Sequence, residues 1–192
     1  AELLIDHAWG YEPCGIADVK AYRPASKSLG EGQVLQTPYE AEKAKIVMLE
    51  MADALALQLV EQGLVTDQVV LTVGYDLENL SDPARRAAYR GEVVTDFYGR
   101  QLPKHAHGSE SLPHYSSSAS ELVAAFSALF DRIVNPSLTV RRLALSANHV
   151  LPEREAEKHT ESYAQLSLFT DCAAEEAKRA EETARRERER KL

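Results

Sequence analysis

Residues 37–75, TPYEAEKAKIVMLEMADALALQLVEQGLVTDQVVLTVGY, hold two apolar periods back to back. Ala44, Val47, Met48, Met51, Leu55 and Leu59 recur at i, i+3, i+4 and i+7, one stripe along a helix, and Gly63 stops it. Thr37 offers a cap, Pro38 suits the first helical position and Glu40 completes a capping box, so the helix is predicted to open there. The spacing then changes to strict alternation. Over Asp67–Tyr75, Val69, Leu71, Val73 and Tyr75 share one face of a strand.

The pattern repeats further along. Residues 77–92, with Pro83, Arg85, Arg86 and Gly91, read as a loop, and 93–107 as a strand that Pro103 confines to an edge or bulge. A second helix is predicted from Ser118, with Glu121 three residues on and Leu122, Phe126, Leu129, Phe130 and Ile133 as its stripe; Asn135-Pro136 ends it. Leu138–Val150 then alternates again: Leu143, Leu145 and Ala147 face one way, Arg142, Ser146 and Asn148 the other. With a first strand around Gly32–Gln36, the order is β-α-β-β-α-β. The expected fold is α+β, a four-stranded sheet with two helices on one face and the other face open to bind something.

Outside this core, residues 1–11 look like the end of a helix closing at Gly10, and 12–26, with Pro13, Gly15 and Pro24, like an extended linker. The domain is expected over 27–150, followed by a polar tail, 151–192. Within the tail, Glu175–Arg179, Glu181–Arg185 and Glu182–Arg186 are i,i+4 pairs of a charged, solvated helix.

Composition narrows the class. No run approaches 18 apolar residues, so no membrane span is expected. Ala1–Asp6 has no basic n-region, and the missing initiator Met suggests a piece of a longer chain. Cys14 and Cys172 make no disulfide framework, which fits a reducing, cytoplasmic setting. The net charge is −8; residues 1–150 hold 13 Lys+Arg against 19 Asp+Glu, so any nucleic-acid contact needs a local basic face.

Several segments resemble the C-terminal region of bacterial UmuC-like Y-family translesion DNA polymerases. Ile5-Asp6-His7-Ala8-Trp9-Gly10 is similar to the end of their thumb. Ser26–Gly30 with Gly32-Gln33-Val34-Leu35 is similar to the first strand of their little finger. Val65–Gln68 with Leu71–Asp76, Pro103–Gly108, and Phe130–Val134 with Val140–Leu143 continue the likeness. It implies a fragment that is no enzyme by itself: the catalytic palm, and the carboxylates that would hold Mg2+ in the parent polymerase, would lie upstream of Ala1, and the fragment needs no cofactor.

The resemblance implies primer–template DNA as a partner, gripped by backbone contacts. Lys27, Ser28 and Gly30 would meet phosphate through main-chain N–H groups. Arg100, Lys104 and His105 on one strand, and Arg141 and Arg142 on another, would supply positive charge. Ser116 would stand at a helix N-terminus. About five phosphate contacts would give a salt slope near −4 to −5. In the tail, Gln165-Leu166-Ser167-Leu168-Phe169 resembles the pentapeptide that docks polymerases onto the sliding clamp: Gln165 at the pocket rim, Leu168 and Phe169 within it, Leu166 beside them. The rest of the polymerase chain is the third expected partner.

Two other readings compete. The open sheet face would bind a protein if it were apolar, and a small metal enzyme could be built on His105 and His107, which alternate along a strand with His114 nearby. Asp67, Asp76 and Asp96 are more simply strand-end and turn residues than catalytic carboxylates.

Overall fold

The computed structural model describes Ile5 and residues 8–10, 14–22 and 27–160; side chains are described as far as residue 156. Ile16–Ala21 form a short helix, α1, inside the segment expected to be wholly extended.

β1 (Leu29–Tyr39) is longer than the sequence suggests and carries Thr37 and Pro38 within it. The first long helix, α2 (Ala41–Glu61), therefore opens only at Ala41, with Glu40 at its N-cap and no side-chain cap bond. Pro38 is tolerated because β1 is an edge strand whose register with its neighbour shifts between Val34 and Tyr39, so its missing N–H interrupts no ladder. Gly63 ends α2 as expected. Its φ of +63° suits glycine, and its N–H donates to the Val60 carbonyl at 3.0 Å.

β2 (Leu64–Tyr75) follows. The expected loop after it contains two short helices, α3 (Glu78–Ser81) and α4 (Pro83–Ala88). Asp82 caps α4: its carboxylate accepts from the N–H of Ala84 at 2.7 Å and of Arg85 at 2.9 Å, and Pro83 starts the helix.

Residues 93–107 are not one strand. β3 (Val93–Thr95) and β4 (Gln101–Pro103) pair as a separate hairpin, and β5 (Ala106–Ser116) begins afterwards. α5 (Ala119–Ile133), β6 (Val140–Asn148), β7 (Leu151–Pro152) and α6 (Glu153–Thr160) complete the order.

The main sheet runs β1-β6-β2-β5, all antiparallel, so the fold is the expected β-α-β-β-α-β arrangement. Leu55 and Leu59 of α2 and Leu122, Phe126 and Leu129 of α5 pack without exposed surface beside Val69, Leu71, Val73 and Leu143. Each such side chain contributes roughly 1.5–3 kcal/mol by leaving water. Lys45 of α2 and Asp131 of α5 tie the helices at the rim, Nζ to carboxylate 2.6 Å. The folded unit continues past residue 150. β7 pairs Leu151 and Pro152 with Val65 and Leu64, and Ala156 of α6 is buried. No described helix is long and apolar enough to cross a membrane.

Candidate nucleic-acid interface

The strand registers place the side chains of the open face in rows across the sheet. At one end Val34, Arg142 and Gly74 lie side by side on β1, β6 and β2. The next row is Gly32, Ala144, Thr72 and His107, and the next Gly30, Ser146, Val70 and Ser109. Asn148, Gln68 and Ser111 form the last. None of these residues is Asp or Glu.

The carboxylates of these strands point elsewhere. Glu31 of β1 meets Gln58 of α2 at 3.5 Å, and Glu110 of β5 meets Arg132 of α5 at 2.6 Å, both on the helix side. Asp67, at the far end of β2, pairs with His149 at 2.8 Å. The result is an uncharged, small-residue surface with a cation at one end.

Polar atoms on this face are arranged by their neighbours. Thr72 Oγ1 and His107 Nδ1 share a hydrogen bond of 2.8 Å. Ser146 donates to Asn148 at 3.1 Å, and the Asn148 amide donates to Gln68 at 3.2 Å. Glycine matters at two points of closest approach. A Cβ on Gly30 would lie 2.7 Å from the Leu145 carbonyl oxygen, so Gly30 is what lets β1 close on β6. A Cβ on Gly74 would come within 3.2 Å of the Arg142 Cβ, so Gly74 leaves space beside that side chain.

The expected basic cluster is only partly assembled. Arg142 lies on the open face, and Lys27 leads into β1; neither enters an ion pair among the described residues. Ser28, next to Lys27, is exposed. Arg141 is turned away: its Nη1 donates to the Gln36 carbonyl at 2.7 Å and its Nε lies 3.8 Å from Asp76. Arg100 and Lys104 do not share a strand with His105; they flank β4 in the separate hairpin. Arg100 pairs with Asp96 at 2.7 Å and Lys104 with Glu92 at 2.7 Å. The Arg100 side chain holds the Asp96 carboxyl below its ordinary range, with help from the N–H groups of Arg100 and Tyr98, and Glu92 raises Lys104. Exposed pairs of this kind contribute little, but they cancel the charge these residues would have offered.

Ser116 does not face an anion, contrary to expectation. It is buried at the end of β5, and its hydroxyl accepts the Ser118 N–H at 3.1 Å, so it braces the start of α5.

The histidines suit a polar surface better than a metal. His105 and His107 stand with ring centroids 6.5 Å apart, and His114 Nε2 lies 3.1 Å from Glu121. Among the described residues no group of three or more potential ligands converges. Asp76 accepts the Glu78 N–H at 2.9 Å and Asp96 those of Tyr98 and Arg100 at 2.9 Å, so both are turn residues.

The β3–β4 hairpin, overlooked in the sequence, ends in an exposed pair of rings. Phe97 is 96% and Tyr98 77% exposed, with centroids 5.5 Å apart. Asp96 and Gly99, whose φ is +78°, form the turn, and the Arg100 guanidinium lies 5.0 Å from the Tyr98 ring centre.

Residues 26–168 match the family described as the impB/mucB/samB family C-terminal domain. The chain belongs to that family. This is the little-finger region of the UmuC-like Y-family polymerases, as the segment-by-segment resemblance indicated. A solved structure described as "Complex of beta-clamp processivity factor and little finger domain of PolIV" is similar at 11% identity; the match covers 75% of this chain and 100% of that one, with a TM-score of 0.42. Comparison with curated protein sequences finds no match. The family match extends through Gln165, Leu166 and Leu168, which with Phe169 lie outside the described residues.

Proposed function

We propose that this little finger lays its open sheet face along primer–template DNA and holds the backbone without reading sequence. The observation that carries this reading is the lack of carboxylates on that face in a chain of net charge −8. An acidic protein that keeps one broad face free of negative charge has a surface a polyanion can approach. Gly30, Gly32 and Ala144 keep the face low, and Ser109, Thr72 and Asn148 offer hydroxyl and amide groups to phosphate oxygens. Arg142 supplies charge at one end of the face, and the exposed Lys27 stands where the chain enters β1 at the other. The face has little for a protein partner. Val34 and Val70 are its largest apolar side chains and sit two rows apart, whereas a protein interface wants a contiguous apolar centre.

With two unpaired cations instead of five, the salt slope should be near −2, about −0.9 per phosphate neutralised. Labelled primer–template duplex titrated at about 50 mM and about 200 mM salt should show affinity falling roughly tenfold, equally for two unrelated sequences. A variant with Lys27 and Arg142 changed to Ala should lose most of that dependence. No binding even at low salt would sink the grip.

The tail is the second part of the proposal. Gln165, Leu166, Leu168 and Phe169 dock onto the sliding clamp, and the clamp on the same DNA raises the local concentration of the domain. Clamp loaded on the duplex should tighten binding of the chain. Changing Leu168 and Phe169 to Ala should remove that gain and leave clamp-free DNA binding intact; an undiminished gain would refute the docking assignment. In the full protein the domain (roughly 27–160) would follow a thumb ending near residue 11. Palm carboxylates holding Mg2+ would perform error-prone synthesis across lesions in DNA repair, in the cytoplasm.

A further inference from the structure

A backbone grip on a straight duplex makes no use of the hairpin tip, because stacked bases are closed to a ring that does not kink the helix. The geometry of the tip nevertheless asks for a ligand. Two large rings stand almost fully in water, and the turn that carries them is braced: the Asp96 carboxylate accepts two backbone N–H groups and pairs with Arg100. A braced turn loses little freedom on binding.

The surroundings of the rings say which ligand. Their neighbours along the turn are Asp96, Gly99 and Arg100, and the nearest exposed aliphatic side chain of the hairpin is Val93, at its base. A hydrophobic groove on a protein would bury aliphatic surface around the rings, and among the described residues of the turn the rings are flanked by none. Two rings and a guanidinium over one of them instead fit a flat, polar-edged π-system, a nucleobase.

Placement supplies the second argument. β4 leads through Lys104 and His105 into β5, whose Ala106 lies opposite Val73, one step from the Gly74–Arg142 pair. The hairpin thus leaves the sheet at the cationic end of the open face. Three residues of strand and a turn carry its tip about 10 Å beyond its base, about three base steps. A base there is available only where the strand is unpaired.

We propose that Phe97 and Tyr98 stack on an unpaired base of a DNA strand that runs on past the duplex. This rests on the grip proposed above for its setting, and the test separates the two. Binding of the 192-residue chain is measured to blunt duplex and to duplexes with a 5′ or a 3′ single-stranded extension. Fluorescence of 2-aminopurine is followed at the first unpaired position and in a single strand alone. The chain should bind one of the extended duplexes about tenfold more tightly than the blunt one, and should quench 2-aminopurine.

Phe97→Ala/Tyr98→Ala should abolish both effects while leaving blunt-duplex affinity and the melting temperature unchanged. Phe97→Leu/Tyr98→Leu, apolar but not planar, should fail to quench as the alanine pair does. Quenching that survives either double variant, or no quenching by the parent chain, would overturn the stacking role and leave the tip to a protein partner. Quenching of the single strand without any duplex binding would keep the tip and remove the grip; duplex binding without quenching would do the reverse.

Discussion

Changing Ala144 to Glu is expected to weaken duplex binding about a hundredfold, because like charges brought together at an interface cost several kcal/mol. Ala144 lies in the second row of the open face, between Gly32 and Thr72, so a carboxylate there stands where the phosphate backbone is proposed to lie. Two controls separate charge from bulk. Ala144→Gln has the same size without the charge and should cost less than about tenfold, the part due to lifting the duplex off a low surface. Ala128→Glu adds the same charge on the exposed side of α5, across the sheet from the face, and should change affinity by no more than about twofold at physiological salt, where distant charges are screened. Equal binding by the Ala144→Glu variant and the parent would show that DNA does not occupy this face. Equal losses from both glutamates would reduce the effect to net charge.

The open face was half legible in the sequence. Alternation over 69–75 and 143–147 assigns each residue of β2 and β6 to a side, so Arg142, Ser146 and Asn148 were read correctly as facing away from the core. The helical stripes at 44–59 and 122–133 then require both helices on the other side. Those signals are sums over many residues and survive local irregularities. The freedom of the face from carboxylates needs register as well: only the pairing of Gly32 with Ala144 and of Thr72 with His107 shows that four strands contribute small or polar residues to one surface.

Charge pairing was not legible. Arg100, Lys104 and Arg141 look alike as basic residues, yet their availability depends on Asp96, Glu92 and the Gln36 carbonyl, partners set by a turn, a hairpin and a tertiary contact. The turn itself was announced. Asp96-Phe97-Tyr98-Gly99 has Asp at its start and Gly at its end, a pattern that outweighs the β propensity of the valines before it. Asp82-Pro83 likewise signals a helix start inside a segment read as loop.

That segment contains a polar residue whose loss should damage the fold. Asn79 of α3 is fully buried and saturates both ends of its amide. Its Nδ2 donates to the Asp76 carbonyl at 2.9 Å and the Thr139 carbonyl at 2.8 Å; its Oδ1 accepts the Thr139 N–H at 2.9 Å and hydroxyl at 3.1 Å. Thr139 is itself buried, and its chain enters β6 just before Arg141 and Arg142. Asn79 therefore pins the end of β2 to the start of β6, at the cationic end of the open face. Asn79→Ala strands the Thr139 N–H away from water. At roughly 1–3 kcal/mol for an unmade buried bond, with the cavity in addition, the expected loss is about 3 kcal/mol. For a chain of this size that lowers the melting temperature by about 10 °C. Asn79→Asp keeps the shape and the acceptors but loses both donations and buries a charge between two carbonyls, so it should destabilise at least as much near neutral pH and recover partly as the carboxyl protonates in acid. Thermal melts of the two variants beside the parent decide it. An Asn79→Ala melt within about 2 °C of the parent, no more than a loss of about 1 kcal/mol would give and far below the expected shift of about 10 °C, would mean that water replaces the amide and that the clamp between β2 and β6 is not where this end of the sheet gets its stability.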